Sequence, residues 1–323
     1  MEEKWKRTRF NKLFNDSVII EIIIPVPKYS FIKFVNDKTR LESIIGTEDN
    51  SRTADLIFVH GLGGNALSTW HPQNKQEKQN SWLTWLGEDL KNVGVWSLGY
   101  EVEPFKFKGN TMPLSDRATN IIDLLDNYDI GEKPLVFVTH SMGGLLVKQL
   151  LRHANDFGNS SWRRMVEQTK GIIFLSTPHS GSDIANWLKY IGGILGASIS
   201  VKELEANDSR LLELNEVYRN HEVLSQIPIK VYCETERTNG IIVVDRTSAN
   251  PGIKGATPVP LAKNHISIAK PKSRADSLYM GVRKFIKEQL ASARPIPPLN
   301  NTSKTSPAER VINIQTPESK KKA

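Results

Sequence analysis

Apolar residues fall into short continuous runs along most of the chain. Most runs are followed by a stretch in which they return every three or four positions. The runs at 55–59, 95–100, 134–138, 171–175 and 229–233 are rich in Val, Ile, Leu and Phe and too short for helices. They predict strands covered on both faces. Between them Trp82, Trp85, Leu86, Leu90 and Val93 recur at helical spacing. So do Ile121, Ile122, Leu124 and Leu125 behind an N-cap at Ser115, and so does the stretch 145–154. Residues 276–290 predict a closing helix. Strands alternating with helices predict an α/β fold: a mostly parallel sheet with helices on both faces.

Two earlier runs, 18–26 and 31–35, are joined by Pro27-Lys28-Tyr29-Ser30 and predict an antiparallel extension leading into the sheet. Residues 42–53 and 65–80 are polar and read as loops, the second carrying Trp70-His71-Pro72. Short apolar runs at 241–244 and 259–262 follow late in the chain. The pattern divides the chain into a basic arm at 1–16, one domain over 17–290, and a tail at 291–323. The tail is rich in Pro, Ser, Asn, Thr and Lys, keeps no periodicity, and predicts disorder. Within the domain two helical patterns, 184–198 and 204–218, lie between consecutive strands. They predict a helical cap over about 183–226, an ordinary crossover being the rival reading.

Composition narrows the function classes. Hydrophobic content of 39% and charge of 24% over 323 residues fit a globular chain. The single cysteine, Cys233, excludes an internal disulfide and fits a reducing compartment. The N-terminus has no apolar core of the signal-peptide type, so the expected location is cytoplasmic, with peripheral membrane contact as an option. The net charge of +8 sits partly in the two ends, around Lys4, Lys6 and Arg7 and at Lys320, Lys321 and Lys322. Solvated charged ends are the favoured reading, with peripheral contact to an anionic membrane surface as the option, and no nucleic-acid motif accompanies the charge. Zinc-ligand spacing and a phosphate-cradling Gly-Lys-Ser/Thr loop are both missing from the sequence, so no metal and no cofactor is expected.

The candidate chemistry begins where the run 134–138 leads into Thr139-His140-Ser141-Met142-Gly143-Gly144 and then a helix. A Ser at the apex of a strand–turn–helix, with small residues around it, has the pattern of a nucleophile elbow. Gly143 supplies the room on one side, and Thr139 stands where Gly is usual on the other. Upstream, the run 55–59 ends in His60-Gly61-Leu62-Gly63-Gly64, where one oxyanion-hole N–H is supplied in such folds. Leu62 and Met142 are therefore the candidate backbone donors. An unactivated hydroxyl attacks poorly and needs a base, and His265 in a late loop is the candidate. His60 and His140 belong to the backbone-shaping motifs, His179 reads as pocket-lining, and His71, His153 and His221 read as surface. The acid is expected just after the strand 229–233, which favours Glu234 and leaves Asp245 as the alternative. Ser, then acid, then His is the order of the α/β-hydrolases.

Together with Trp70, Trp82-Leu83, Gly99-Tyr100, Ser176-Thr177-Pro178-His179 and Lys270-Pro271, these motifs resemble the lipase/esterase-like serine hydrolases called serine-active-site-containing proteins. Those are related to inositol deacylases of lipid anchors, and the same domain occurs as the N-terminal module of large NTPase-type immune proteins. The resemblance covers about residues 50–290. It implies an α/β-hydrolase fold and a metal-independent serine esterase that cleaves a carboxylic, lipid-like ester through an acyl-enzyme on Ser141. Acyl transfer by the same triad, or a non-catalytic interaction or signalling module, are the alternatives, and the tail could join a partner module. Glu234-Thr235 matches a Glu-Thr pair of the family, whereas Ile241 stands where the usual lipase pattern has Asp two residues before Val243-Val244. The apolar stretch from Trp187-Leu188 to Ile194-Leu195, interrupted by Gly192, Gly193 and Gly196, predicts a lid that meets lipid.

Overall fold

The computed structural model describes residues 39–100, 114–179, 187, 190 and 213–293. The expected arm at 1–16, the runs at 18–26 and 31–35, most of the cap, and the tail from 294 onward lie outside the described residues. Seven strands form one sheet: β1 (Arg40–Ile45), β2 (Ala54–Val59), β3 (Val93–Gly99), β4 (Leu135–His140), β5 (Thr169–Leu175), β6 (Ile229–Glu234) and β7 (Pro258–Leu261). Their order across the sheet is β1-β3-β2-β4-β5-β6-β7, with β1 antiparallel to β3 and every other pair parallel. The helices are α1 (Trp82–Asp89), α2 (Leu114–Asp126), α3 (Met142–Phe157), α4 (Ser160–Gln168), the helical stretch 213–220 (α5) and α6 (Ser277–Ser292).

Every residue of β2, β3 and β4 is buried, as befits parallel strands covered on both faces. Alternate side chains separate into two cores. Ile57, Val59, Phe137, Ile172 and Phe174 pack with Ile121 of α2, Leu146 and Leu150 of α3 and Met165 of α4. Leu56, Phe58, Val136, Val138, Ile173 and Leu175 pack on the opposite face with Trp82 and Leu86 of α1 and with Leu278, Val282 and Ile286 of α6. The chain leaves β2 to one side for β3 and returns to the other side for β4. The carboxyl ends of β2 and β4 therefore face a topological switch point, where open α/β sheets place their ligands.

Four local expectations are corrected. The polar stretch 42–53 holds most of β1: only Leu41 is buried in that strand, so an edge strand with polar flanks gave no apolar run. α1 stops at Asp89, and Asn92 at φ 61° turns the chain so that Val93 opens β3 rather than closing a helix. Ser115 lies inside α2, which already includes Leu114. α4 was not anticipated: apart from Trp162, its apolar residues are only Met165 and Val166, too few to show a period.

Candidate active site

β4 delivers Ser141 to the switch point with φ 53° and ψ −126°, a strained conformation for a residue with a side chain. The Ser141 N–H bonds the Leu175 carbonyl at 2.9 Å, and Ser141 itself forms the N-cap position of α3. A Cβ on Gly143 would lie 2.3 Å from the Val59 carbonyl oxygen and 2.5 Å from that of His60, so no side chain fits there. Thr139 causes no such crowding, because it is buried with its hydroxyl donating to the Ile173 carbonyl at 3.0 Å. The loop after β2 touches the nucleophile candidate: a Cβ on Gly61 would meet the Ser141 Cβ at 2.7 Å. Gly63 in the same loop has φ 65°, and Leu62 between the two glycines is partly buried.

Three side chains from distant parts of the chain meet there. His265 Nε2 is 3.0 Å from Ser141 Oγ, and His265 Nδ1 is 2.9 Å from Glu234 Oε2. The second Glu234 oxygen accepts N–H groups from Val243 and Val244 at 2.8 and 2.9 Å. A carboxylate fixed in this way holds the imidazole proton on Nδ1 and leaves Nε2 bare to accept the Ser141 hydroxyl. The His265 N–H bonds Thr238 Oγ1 at 3.0 Å, which steadies the loop carrying the ring. Asp245, the alternative acid, is exposed and accepts the Ser248 N–H at 2.8 Å. It is not brought to His265. The short apolar run 241–244 lies in a loop whose backbone serves Glu234.

The neighbouring histidines are built in as neutral rings. His140 Nε2 donates to the His265 carbonyl at 2.8 Å, and burial holds its pKa well below the ordinary value. His60 bonds the Gly61 carbonyl through Nδ1 at 2.8 Å and stacks on Tyr100, and burial pulls its pKa down to about 4. Tyr100 in turn donates its hydroxyl to the His60 carbonyl, and Lys270 donates to the Ser68 and Thr69 carbonyls at 2.9 and 3.0 Å. The loop after β2 is thereby tied both to β3 and to the His265 loop.

Other histidines depart from expectation. His71 is buried rather than on the surface, with Nε2 3.2 Å from the Gln79 carbonyl and Nδ1 accepting the Gln73 N–H. His153 and His221 are half-buried, in contact with Thr119 and Asp156. His179 is held inside the protein, its Nδ1 2.9 Å from Lys148 Nζ, and not on Ser141. Lys148 is fully buried on α3, donates to Asn215 of α5 at 2.6 Å, and lies over the Phe174 and Tyr218 rings. Burial lowers its pKa to about 7. The sequence reading passed over this lysine, although a charge at the inward spacing Gly144, Lys148, Leu151 was a usable signal.

The sequence reading also missed the polar end of Trp187. Its indole N–H donates to Ser141 Oγ at 3.3 Å, and the Tyr190 ring stands edge-on to His265 with centroids 6.0 Å apart. Leu188 lies outside the described residues. Ser141 and Trp187 are each 1% exposed, and His265 is 5% exposed. Among the described residues no group of His, Cys, Asp and Glu could hold a metal ion. No helix among them is long and apolar enough to cross a membrane.

Residues 51–206 match the family model described as "Putative serine esterase (DUF676)". That stretch contains the loop after β2 and the elbow, and ends before Glu234 and His265. The chain has the mostly parallel seven-stranded sheet of an α/β-hydrolase fold, and its residues 51–206 are similar to serine esterases. Over 266 residues it is 31% identical to Protein SERAC1 of Danio rerio, covering 75% of this chain and 40% of that one. It is 30% identical over 260 residues to Protein SERAC1 of Homo sapiens, covering 74% and 39%. The chain thus spans about two fifths of the length of the curated relatives it matches. A carboxylesterase structure from Nitrososphaera gargenis is 14% identical, with 79% of this chain and 96% of that chain covered and a TM-score of 0.49.

Proposed function

We propose that this protein is an esterase that cleaves a carboxylic ester of lipid or lipid-like kind through an acyl-enzyme on Ser141. The observation that carries the reading is the continuous line of hydrogen bonds from Ser141 Oγ through His265 to Glu234, at 3.0 and 2.9 Å. Ser141 Oγ attacks the ester carbonyl carbon while His265 Nε2 takes its proton, and Glu234 stabilises the imidazolium. The tetrahedral intermediate collapses, the alkoxide leaves, and His265 returns the proton to it as the alcohol. Water then repeats the sequence on the acyl-enzyme and releases the acid.

The developing oxyanion needs N–H donors, each worth about 3 kcal/mol where measured in other enzymes. The Met142 N–H stands in the first turn of α3, where a helix supplies no internal acceptor. Leu62 offers the second from a loop pressed against Ser141. Support for an apolar acyl group comes from the aromatic rings of Trp187 and Tyr190 beside the nucleophile and base.

The test is hydrolysis of p-nitrophenyl esters of increasing acyl length by the wild type and by Ser141→Ala. Turnover that rises with chain length and vanishes in the variant supports the reading. Turnover that survives in Ser141→Ala contradicts it.

A further inference from the structure

We infer that the indole N–H of Trp187 is a catalytic hydrogen-bond donor to the reacting oxygen of Ser141. The inference rests on the esterase reading above. Ser141 Oγ carries one proton and two lone pairs. The proton faces His265 Nε2 at 3.0 Å, and one lone pair takes the Trp187 N–H at 3.3 Å. The other lone pair stays free to attack a carbonyl carbon, so the indole does not block the chemistry by occupying the oxygen.

The charge on Oγ changes through the reaction while the donor stays in place. When His265 takes the hydroxyl proton, negative charge grows on an oxygen that already faces an N–H. Once the bond from Oγ to the acyl carbon has formed, Oγ still holds a lone pair for that N–H. In hydrolysis of the acyl-enzyme this bond breaks, its electron pair returns to Oγ, and His265 returns the proton. The indole proton is transferred at no stage. Its contribution is electrostatic, and it acts in an enclosed place: Ser141 and Trp187 are both almost fully buried. A donor in such surroundings is stronger than the same donor in water.

The backbone placement suits the role. Trp187 and Tyr190 are both helical and three residues apart, so they share one face. That face sets the indole N–H on the nucleophile and the phenol ring beside the base. A segment that served only to cover the site would need bulk there and no polar atom. A cover alone leaves the direction of the indole N–H open, whereas here that one polar atom faces Ser141 Oγ.

The experiment removes the N–H and keeps the shape. Trp187 is replaced by 3-benzothienylalanine, in which sulfur stands for the N–H, and in parallel by Phe (W187F). Two rates are read: labelling by a fluorophosphonate probe, and kcat/KM on p-nitrophenyl acetate, with the thermal midpoint as the check on folding. The expected result is a fall of about tenfold in both rates for each variant, with KM nearly unchanged. This is less than the loss of a close oxyanion-hole donor, because the bond is long. Equal or faster rates with the sulfur isostere would overturn the inference and leave Trp187 as a cover only. A wild type that does not label would remove the esterase reading and this inference with it. A labelled wild type with an unaffected isostere removes the inference alone.

Discussion

Glu234 reaches His265 with one oxygen at 2.9 Å while the N–H groups of Val243 and Val244 hold the other. The carboxylate is therefore fixed at both oxygens in a place closed to water. Glu234→Gln keeps its volume, loses the charge that stabilises the imidazolium, and can present an amide N–H where Nδ1–H needs an acceptor. The expected outcome is a fall in kcat of about a thousandfold or more with little change in melting temperature. Asp245→Asn should leave turnover near wild type, because among the described residues the Asp245 carboxylate accepts from its own loop, at Ser248, and not from His265. Steady-state kinetics on both variants decides between the two carboxylates.

Gly143 has no room for a methyl group: its Cβ would stand 2.3 Å from the Val59 carbonyl oxygen. Gly143→Ala forces β2 and the elbow apart. It should cost about 3 kcal/mol in a urea unfolding experiment, at the upper end of ordinary overpacking. An unchanged midpoint would mean that the contact between β2 and the elbow is looser than the geometry indicates.

Lys148 makes stability depend on pH in a defined direction. Burial lowers its pKa from 10.5 to about 7. Between those two values the unfolded chain binds a proton that the folded chain does not, so this group makes stability rise as pH rises across that interval. Below about 7 both states are protonated and the full penalty of a buried ammonium remains. Lys148→Met removes the titration. Melting temperatures of wild type and variant measured from pH 7 to 10 should therefore diverge, the wild type gaining relative to the variant. Parallel curves would refute the assignment.

Lys270 is expected to act as a staple between the His265 loop and the loop after β2, through the Ser68 and Thr69 carbonyls. Lys270→Met leaves both carbonyls without this partner and should cost about 2 kcal/mol. Urea unfolding reads it, and a cost near zero would show that water replaces the amine freely.

What was legible in the sequence was what is local. Gly143 and Ser141 sit two residues apart, so the elbow and the apolar run of β4 were visible together. Buried parallel strands announced themselves as continuous runs, whereas β1, an edge strand with only Leu41 buried, did not. The sequence order placed Glu234 and His265 among the candidates, and the structure brings His265 to Ser141 and Glu234 to His265. What it could not give was polar pairing across the chain. Nothing near Lys148 points to His179 or Asn215, and nothing near Trp187 points to Ser141. The Val243 and Val244 N–H groups that orient Glu234 were hidden for a further reason. Their side chains are apolar and mark only a short run, so nothing in them shows that their backbone N–H groups hold a carboxylate.

The central claim is that His265 and Glu234 make Ser141 nucleophilic. The most direct measurement is reaction of the intact protein with a fluorophosphonate, followed by mass spectrometry of the adduct. One phosphonyl group should appear per chain, on Ser141. It should be absent in Ser141→Ala and form several orders of magnitude more slowly in His265→Ala. No adduct, an adduct on another residue, or equal labelling of His265→Ala would contradict the account.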